Sequence, residues 1–307
     1  MSLVYETREG ILSTVSAQEA AWAELGKRLG TGAIMPQALA PTSEAALAAA
    51  DHIQATSRRR TTSTPVRKWF VRSFDGEKPP LAKVYSGGKS GTVAVKLYLA
   101  LLWRSSSPPY TTDRAARGWA TLLDLDDPDG LGSRRVRAAL RSLSKANLVE
   151  LETRPGLPLL VTVLDEGGEG VEYELPSTMF VKTNRGAESA EALRNPNLYF
   201  KIPSKLWTEG VMQALSGPGL IMLLILLAEQ ADSKAVWFST EEFPARYFIS
   251  PSTRTKGTKE LQQYGLLNTV SQPLPRPGGS VFDPRRRRYL YRLSGHAVID
   301  AADATED

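Results

Sequence analysis

The sequence predicts an α+β chain, mostly α, in which one unit of helix, helix, helix, strand, turn and strand occurs twice behind a short helical amino-terminal region. Apolar residues recur at helical spacing in both halves, and each half closes on two strand-like runs separated by a Gly/Pro turn. The junctions Leu143-x4-Leu148-Val149 and Leu261-x4-Leu266-Leu267 align the halves, as expected of a duplicated domain rather than a solenoid. A chain of 307 residues suits two domains. The expected division is 1–64, a helical region and basic linker; 65–175, the first unit; 176–196, a linker; 197–299, the second unit; and 300–307, an acidic tail.

Two alanine-rich helical patterns, at 17–29 and 43–55, come first. Residues 56–64 read as an exposed linker or basic arm carrying Arg58, Arg59 and Arg60. Short strands are expected at 69–74 and 81–85 around the Asp75-Gly76 turn. An apolar helix at 92–103, a loop holding Pro108-Pro109 and a helix at 113–125 lead to the break at 126–132. Ser133 then serves as N-cap of a helix whose Val136, Leu140 and Leu143 fall at i, i+4 and i+7. Strands at 148–153 and 159–164 flank the turn Arg154-Pro155-Gly156.

In the second half the pattern predicts helices at 206–215 and 220–230, a strand at Trp237-Phe238, a helix at 240–247 and another from Ser250-Pro251 to Tyr264. Strands at 268–270 and 288–293, around a long turn with Pro275, Pro277, Gly278 and Gly279, complete it. Gly257 interrupts the last helix at about 1 kcal/mol relative to alanine, a cost that suggests close packing or backbone approach there.

Hydrophobic residues at 42% and charged residues at 23% are an ordinary globular balance. With no cysteine there is no disulfide, thiolate nucleophile or zinc ribbon, and a reducing compartment is expected. His52 and His296 alone make a histidine metal site or a Ser-His-Asp hydrolase a poor fit. The longest apolar stretch, 220–228, is about half of a membrane span and no basic-then-apolar signal pattern opens the chain, so a cytoplasmic location without membrane contact is expected.

The net charge of +5 is strongly segregated. Residues 54–72 hold six cations and no acid, 133–145 hold five and no acid, and 276–292 hold six arginines against Asp283. Chains that need only solubility usually intersperse the two signs.

The segment 133–150 resembles the recognition helix and first wing strand of winged-helix proteins. That resemblance implies a third helix in the major groove and a hairpin wing against the backbone or minor groove. Arg134, Arg135 and Arg137 near the helix start are then the candidate base contacts, Arg141 and Lys145 the candidate phosphate contacts, and Ser133 and the turn's Arg154 further candidate DNA-binding residues. The second copy offers Thr253, Arg254, Lys256 and Lys259, with a wing carrying Arg276, Arg285, Arg286, Arg287 and Arg288 for phosphate or a narrow minor groove.

Two such units in one chain resemble the plasmid replication initiators over roughly 81–293. The resemblance implies sequence-specific binding of double-stranded DNA, replication initiation with transcriptional repression, contact with replication machinery, a homodimer form, nucleoid or plasmid association, no cofactor and no catalysis. Other readings stay open. One is a dedicated transcriptional repressor; another is a partner-binding adaptor, whose recognition faces would be acidic or neutral. A third is a nucleotide hydrolase, suggested by Gly88-Lys89-Ser90 before a helix and by Asp165-Glu166 after an apolar strand. The phosphate loop requires glycine where Lys83 stands.

Overall fold

The computed structural model describes residues 37–57, 62–85, 88–183, 195–230, 236–275 and 282–298. The expected helix at 17–29, the arginine triplet Arg58, Arg59 and Arg60, Arg276 and the acidic tail lie outside them. Helices dominate and the strands form small sheets, so the chain is α+β.

Helix α1 (Glu44–Thr56) begins where its cap directs: the Ser43 hydroxyl accepts from the Ala46 N–H at 3.2 Å. The same hydroxyl donates to Asp124 at 2.6 Å, and α1 buries Ala46, Ala49, Ala50 and Ile53 at helical spacing. The end of the expected exposed linker is instead a largely buried strand, β1 (Ser63–Arg67). It pairs antiparallel with β5 (Tyr199–Pro203), from Ser63↔Pro203 to Arg67↔Tyr199, so the segments that enter the two units are hydrogen-bonded to each other.

Neither short strand expected next forms. Lys68–Phe70 is a 3-10 turn, and Pro80–Val84 is helix α2, with Pro80 in the first turn, where a missing N–H costs nothing.

The first unit follows: α3 (Gly88–Arg104), β2 (Thr111–Thr112), α4 (Ala116–Leu122), α5 (Ser133–Lys145), β3 (Val149–Glu152) and β4 (Leu160–Val163). The edge strand β2 pairs with β4, giving the order β2-β4-β3. After α6 (Pro176–Thr183) and β5, the helix expected at 206–215 is split by Gly210, at φ 78°, into α7 (Lys205–Thr208) and α8 (Val211–Ala214).

The second unit comprises α9 (Gly217–Glu229), α10 (Glu242–Tyr247), α11 (Pro251–Gln263), β6 (Leu267–Pro275) and β7 (Phe282–Leu293). Between α9 and α10, Val236 exchanges both backbone hydrogen bonds with Tyr291 at 3.0 and 2.7 Å, which is the place β2 occupies beside β4. The third helices, α5 and α11, are each 13 residues long and end alike. Asn147 at φ 55° and Gly265 at φ 67° turn the chain, and Leu148 and Leu266 donate back to the carbonyls of Leu143 and Leu261 at 3.1 and 2.9 Å.

One core runs through both units. Trp103 of α3 stacks on Trp207 of α7 at 5.7 Å and 7°. The Lys96 ammonium, buried between the units, donates to the Gln213 carbonyl at 2.8 Å. Burial pushes this lysine down to about 8, although Glu260 and Asp124 act the other way.

A lysine whose folded pKa lies below its unfolded value of 10.5 takes up a proton on unfolding, so stability rises with pH through the window between about 8 and 10.5. Lys96 by itself contributes a gain of about 2 kcal/mol from pH 8 to 10, opposed near pH 10 by the raised phenols of Tyr85, Tyr98, Tyr173 and Tyr247, so it is read in chemical denaturation as the difference in pH slope between wild type and Lys96→Met.

Candidate nucleic-acid interface

Helix α5 is amphipathic in the way its charge pattern demands. Ser133, Val136, Ala139, Leu140 and Leu143 are buried, whereas Arg134, Arg137, Arg141 and Lys145 are exposed. These cations recur at i, i+3, i+7 and i+11, so at 100° per residue they lie within one narrow stripe, about 16 Å long at 1.5 Å per residue. Among the described residues none of the four makes an ion pair or side-chain hydrogen bond. Arg135 stands off the stripe, 4.0 Å from Asp126, with both groups exposed.

Two expected contacts near α5 have other partners. Ser133 does not cap the helix; Gly132 occupies that position at the end of a π-type turn, Pro128–Gly132. The Ser133 side chain is 2% exposed and donates to the Pro128 carbonyl at 2.7 Å, because the turn winds directly into the helix and folds the hydroxyl under it. The turn's own cap is Asp127, whose carboxylate accepts from Gly130 and Leu131 at 3.1 and 2.9 Å. At the hairpin tip Arg154 donates to the Pro158 carbonyl at 3.1 Å and pairs with Asp113 at 3.3 Å.

The helix expected from Ser250-Pro251 forms as α11, with Ser250 as its N-cap accepting from Thr253 at 3.2 Å, and the Thr253 and Ser250 hydroxyls lie 2.9 Å apart. Lys256 and Lys259 are exposed. Arg254 is not: its guanidinium folds into an aromatic cage, 4.9 Å from the Phe243 centroid, 5.4 Å from Phe238 and 5.7 Å from Tyr291. It also donates to the Tyr291 hydroxyl at 3.1 Å. Cation–π attraction inside this partly buried cage competes with any outward contact, so Arg254 holds α11 to the ribbon instead of facing a ligand.

Residues 267–275 and 282–293 pair well beyond the short strands expected, with a register shift between Pro273 and Leu274. Past the buried Val270 and Tyr291 the paired strands run on from Ser271 to Pro275, about 13 Å at roughly 3.3 Å per residue. Arg285 and Arg286 lie on this arm of β7. Arg287 is tied to the Ser271 hydroxyl at 2.6 Å and Arg288 to Gln272 at 2.8 Å.

Sequence reasoning passed over Trp237. Strand parity turns Phe238 inward and leaves Trp237 51% exposed, with the Arg288 guanidinium 5.6 Å from its ring. The alternation in Trp237-Phe238 was the available signal.

The features that suggested a nucleotide site do not assemble one. Lys83 lies in α2, so a helix precedes Gly88 where a phosphate loop follows a strand. Asp165 and Glu166 are both engaged by Arg67: its guanidinium contacts the buried Glu166 carboxylate and lies 3.1 Å from Asp165. Among the described residues no helix is long and apolar enough to cross a membrane. No protein-family model, curated protein or solved structure matches the chain.

Proposed function

We propose that the chain binds double-stranded DNA sequence-specifically with two winged helices, and acts as a plasmid-type replication initiator that also represses transcription. The observation that carries the reading is the α5 stripe, Arg134, Arg137, Arg141 and Lys145, exposed and without acidic partners among the described residues. It lies on the third helix of a unit whose order of helix, edge strand, helix, helix and hairpin recurs in the second half. An arginine reaching guanine O6 and N7 discriminates by about 1–3 kcal/mol per pair, and a groove about 12 Å wide admits one helix. The projecting ribbon with Arg285 to Arg288 supplies the second unit's wing.

The test is selection from a random duplex pool at two salt concentrations. A two-part motif is expected, and Arg134→Ala/Arg137→Ala is expected to lose one part and at least about tenfold in affinity. Arg141→Ala/Lys145→Ala is expected instead to weaken all sequences alike and to lower the salt slope by about two. Absence of any enriched motif, with weak binding even at low salt, would rule the reading out.

A further inference from the structure

We infer that Leu131, at the head of the cationic stripe of α5, reads the 5-methyl group of a thymine in the major groove; the inference rests on the duplex-binding reading above. Residues 126–132 read in the sequence only as a break between helices. In the folded chain Leu131 is 52% exposed, while Gly132 and Ser133 behind it are buried.

The backbone brings this leucine beside the stripe. Gly132 and Ser133 have right-handed helical angles, φ −57° with ψ −50° and φ −60° with ψ −38°, so the turn Pro128–Gly132 runs into α5 without a break. Leu131 therefore stands three residues ahead of Arg134, on the adjoining face and about 4.5 Å further along the axis at 1.5 Å per residue. That is little more than the step of about 3.4 Å between neighbouring nucleotides of one strand. When a recognition helix docks in the major groove, its leading residues are the ones that meet base edges.

The turn is also held in place. The Asp127 carboxylate accepts from the Gly130 and Leu131 N–H groups at 3.1 and 2.9 Å, and the Asp127 carbonyl accepts from Gly132 at 2.8 Å. A Cβ on Gly132 would come within 2.9 Å of that carbonyl oxygen and 3.1 Å of Ala120 Cβ, so the turn is seated directly on α4. The acids around it have partners of their own: Asp127 in these bonds, Asp129 with Arg117 at 3.1 Å, and Asp126 4.0 Å from Arg135.

Chemistry selects what Leu131 meets. A lone exposed leucine is ordinary on a protein surface. At the head of a helix docked on base edges it faces hydrogen-bond donors and acceptors everywhere except at thymine, whose 5-methyl is the apolar group that the major groove presents. Against any other edge a leucine displaces water from polar atoms and offers no hydrogen bond in exchange; against thymine both partners withdraw apolar surface from water. Arg134 alongside is suited to guanine, so the part of the motif read by α5 is expected to hold a thymine within one or two steps of a guanine.

The experiment takes the duplex selected by the full chain and replaces each thymine of the α5 part, the part lost with Arg134→Ala/Arg137→Ala, by uracil, which removes only the methyl group. One of these replacements is expected to weaken binding by the wild type about fourfold, the effect of burying one methyl group. Leu131→Ala is expected to bind the thymine and uracil duplexes alike, the non-additive result that marks a direct contact. Its side chain is exposed, so the variant keeps the fold, with circular dichroism as the check. A motif whose α5 part lacks thymine, a uracil duplex bound by the wild type as tightly as the thymine one, or a methyl effect that persists in Leu131→Ala would each overturn the inference and leave the duplex reading standing. Absence of any enriched motif would overturn both.

Discussion

Replacing Arg67 by methionine is expected to destabilise the fold by about 3–5 kcal/mol, the cost of removing one partner from a buried ion pair. Arg67 is 3% exposed and gathers parts of the chain that lie far apart in sequence. Its guanidinium contacts Glu166 and Asp165 at the end of the first unit, donates to the Glu174 carbonyl at 2.9 Å and to Asn197 at 3.0 Å, and stands 5.8 Å from the Tyr173 ring. Without it the fully buried Glu166 keeps its charge site but loses its cation. Burial already pushes the Glu166 carboxyl up to about 7, with Arg67 pulling it down and Asp165 adding to the rise.

Loss of Arg67 raises that carboxyl further. A carboxyl whose folded pKa lies above its unfolded value of 4.5 supports folding only while protonated, so its contribution is complete below 4.5 and lost as pH rises through the folded value. The deficit of Arg67→Met should therefore be smaller at pH 5 than at pH 8, and Arg67→Met/Glu166→Gln should recover part of the pH 8 loss. Urea midpoints of the three proteins at both pH values measure this. A deficit independent of pH would show that the pair is not what holds the joint.

Gly257→Ala is expected to cost about 3 kcal/mol, at the upper end of overpacking effects, although alanine in a helix interior normally gains about 1 kcal/mol over glycine. The reversal is steric. A Cβ at this position would lie 2.6 Å from Met222 Cγ and 2.7 Å from the Pro218 carbonyl carbon, and would also run into the Pro218 carbonyl oxygen. The Met222 chain can move, but the backbone at the start of α9 cannot do so without lifting the helix. Met222→Ala/Gly257→Ala should therefore fail to restore stability beyond the Met222→Ala parent. Thermal melts of the single and double variants decide it, and a neutral Gly257→Ala would mean that α9 and α11 are not in backbone contact.

The apolar face of α5, the helix starts at Ser43 and Ser250 and the paired junctions at Leu148 and Leu266 were legible in the sequence because each depends on residues within a turn or two. The unexplained cost of Gly257 was legible too, though not its partner. The segment 81–85 was misread because five residues with apolar positions fit either period, and Pro80 tipped it to a helix.

The charged residues divide along the same line. Local spacing alone determined that Arg134, Arg137, Arg141 and Lys145 share one exposed helix face, since helical geometry and the burial of Val136, Ala139, Leu140 and Leu143 leave them no other side. Only the tertiary structure decided that Arg254 enters an aromatic cage, that Ser133 is folded under its helix and that Arg67 holds Asp165 and Glu166. The Arg254 and Arg67 partners come largely from strands and loops brought close by folding, up to 130 positions away, and the Ser133 partner from a turn whose geometry composition does not specify. An arginine's five donors and long apolar stem serve a buried network as readily as a phosphate, so the surroundings rather than the residue type choose between them.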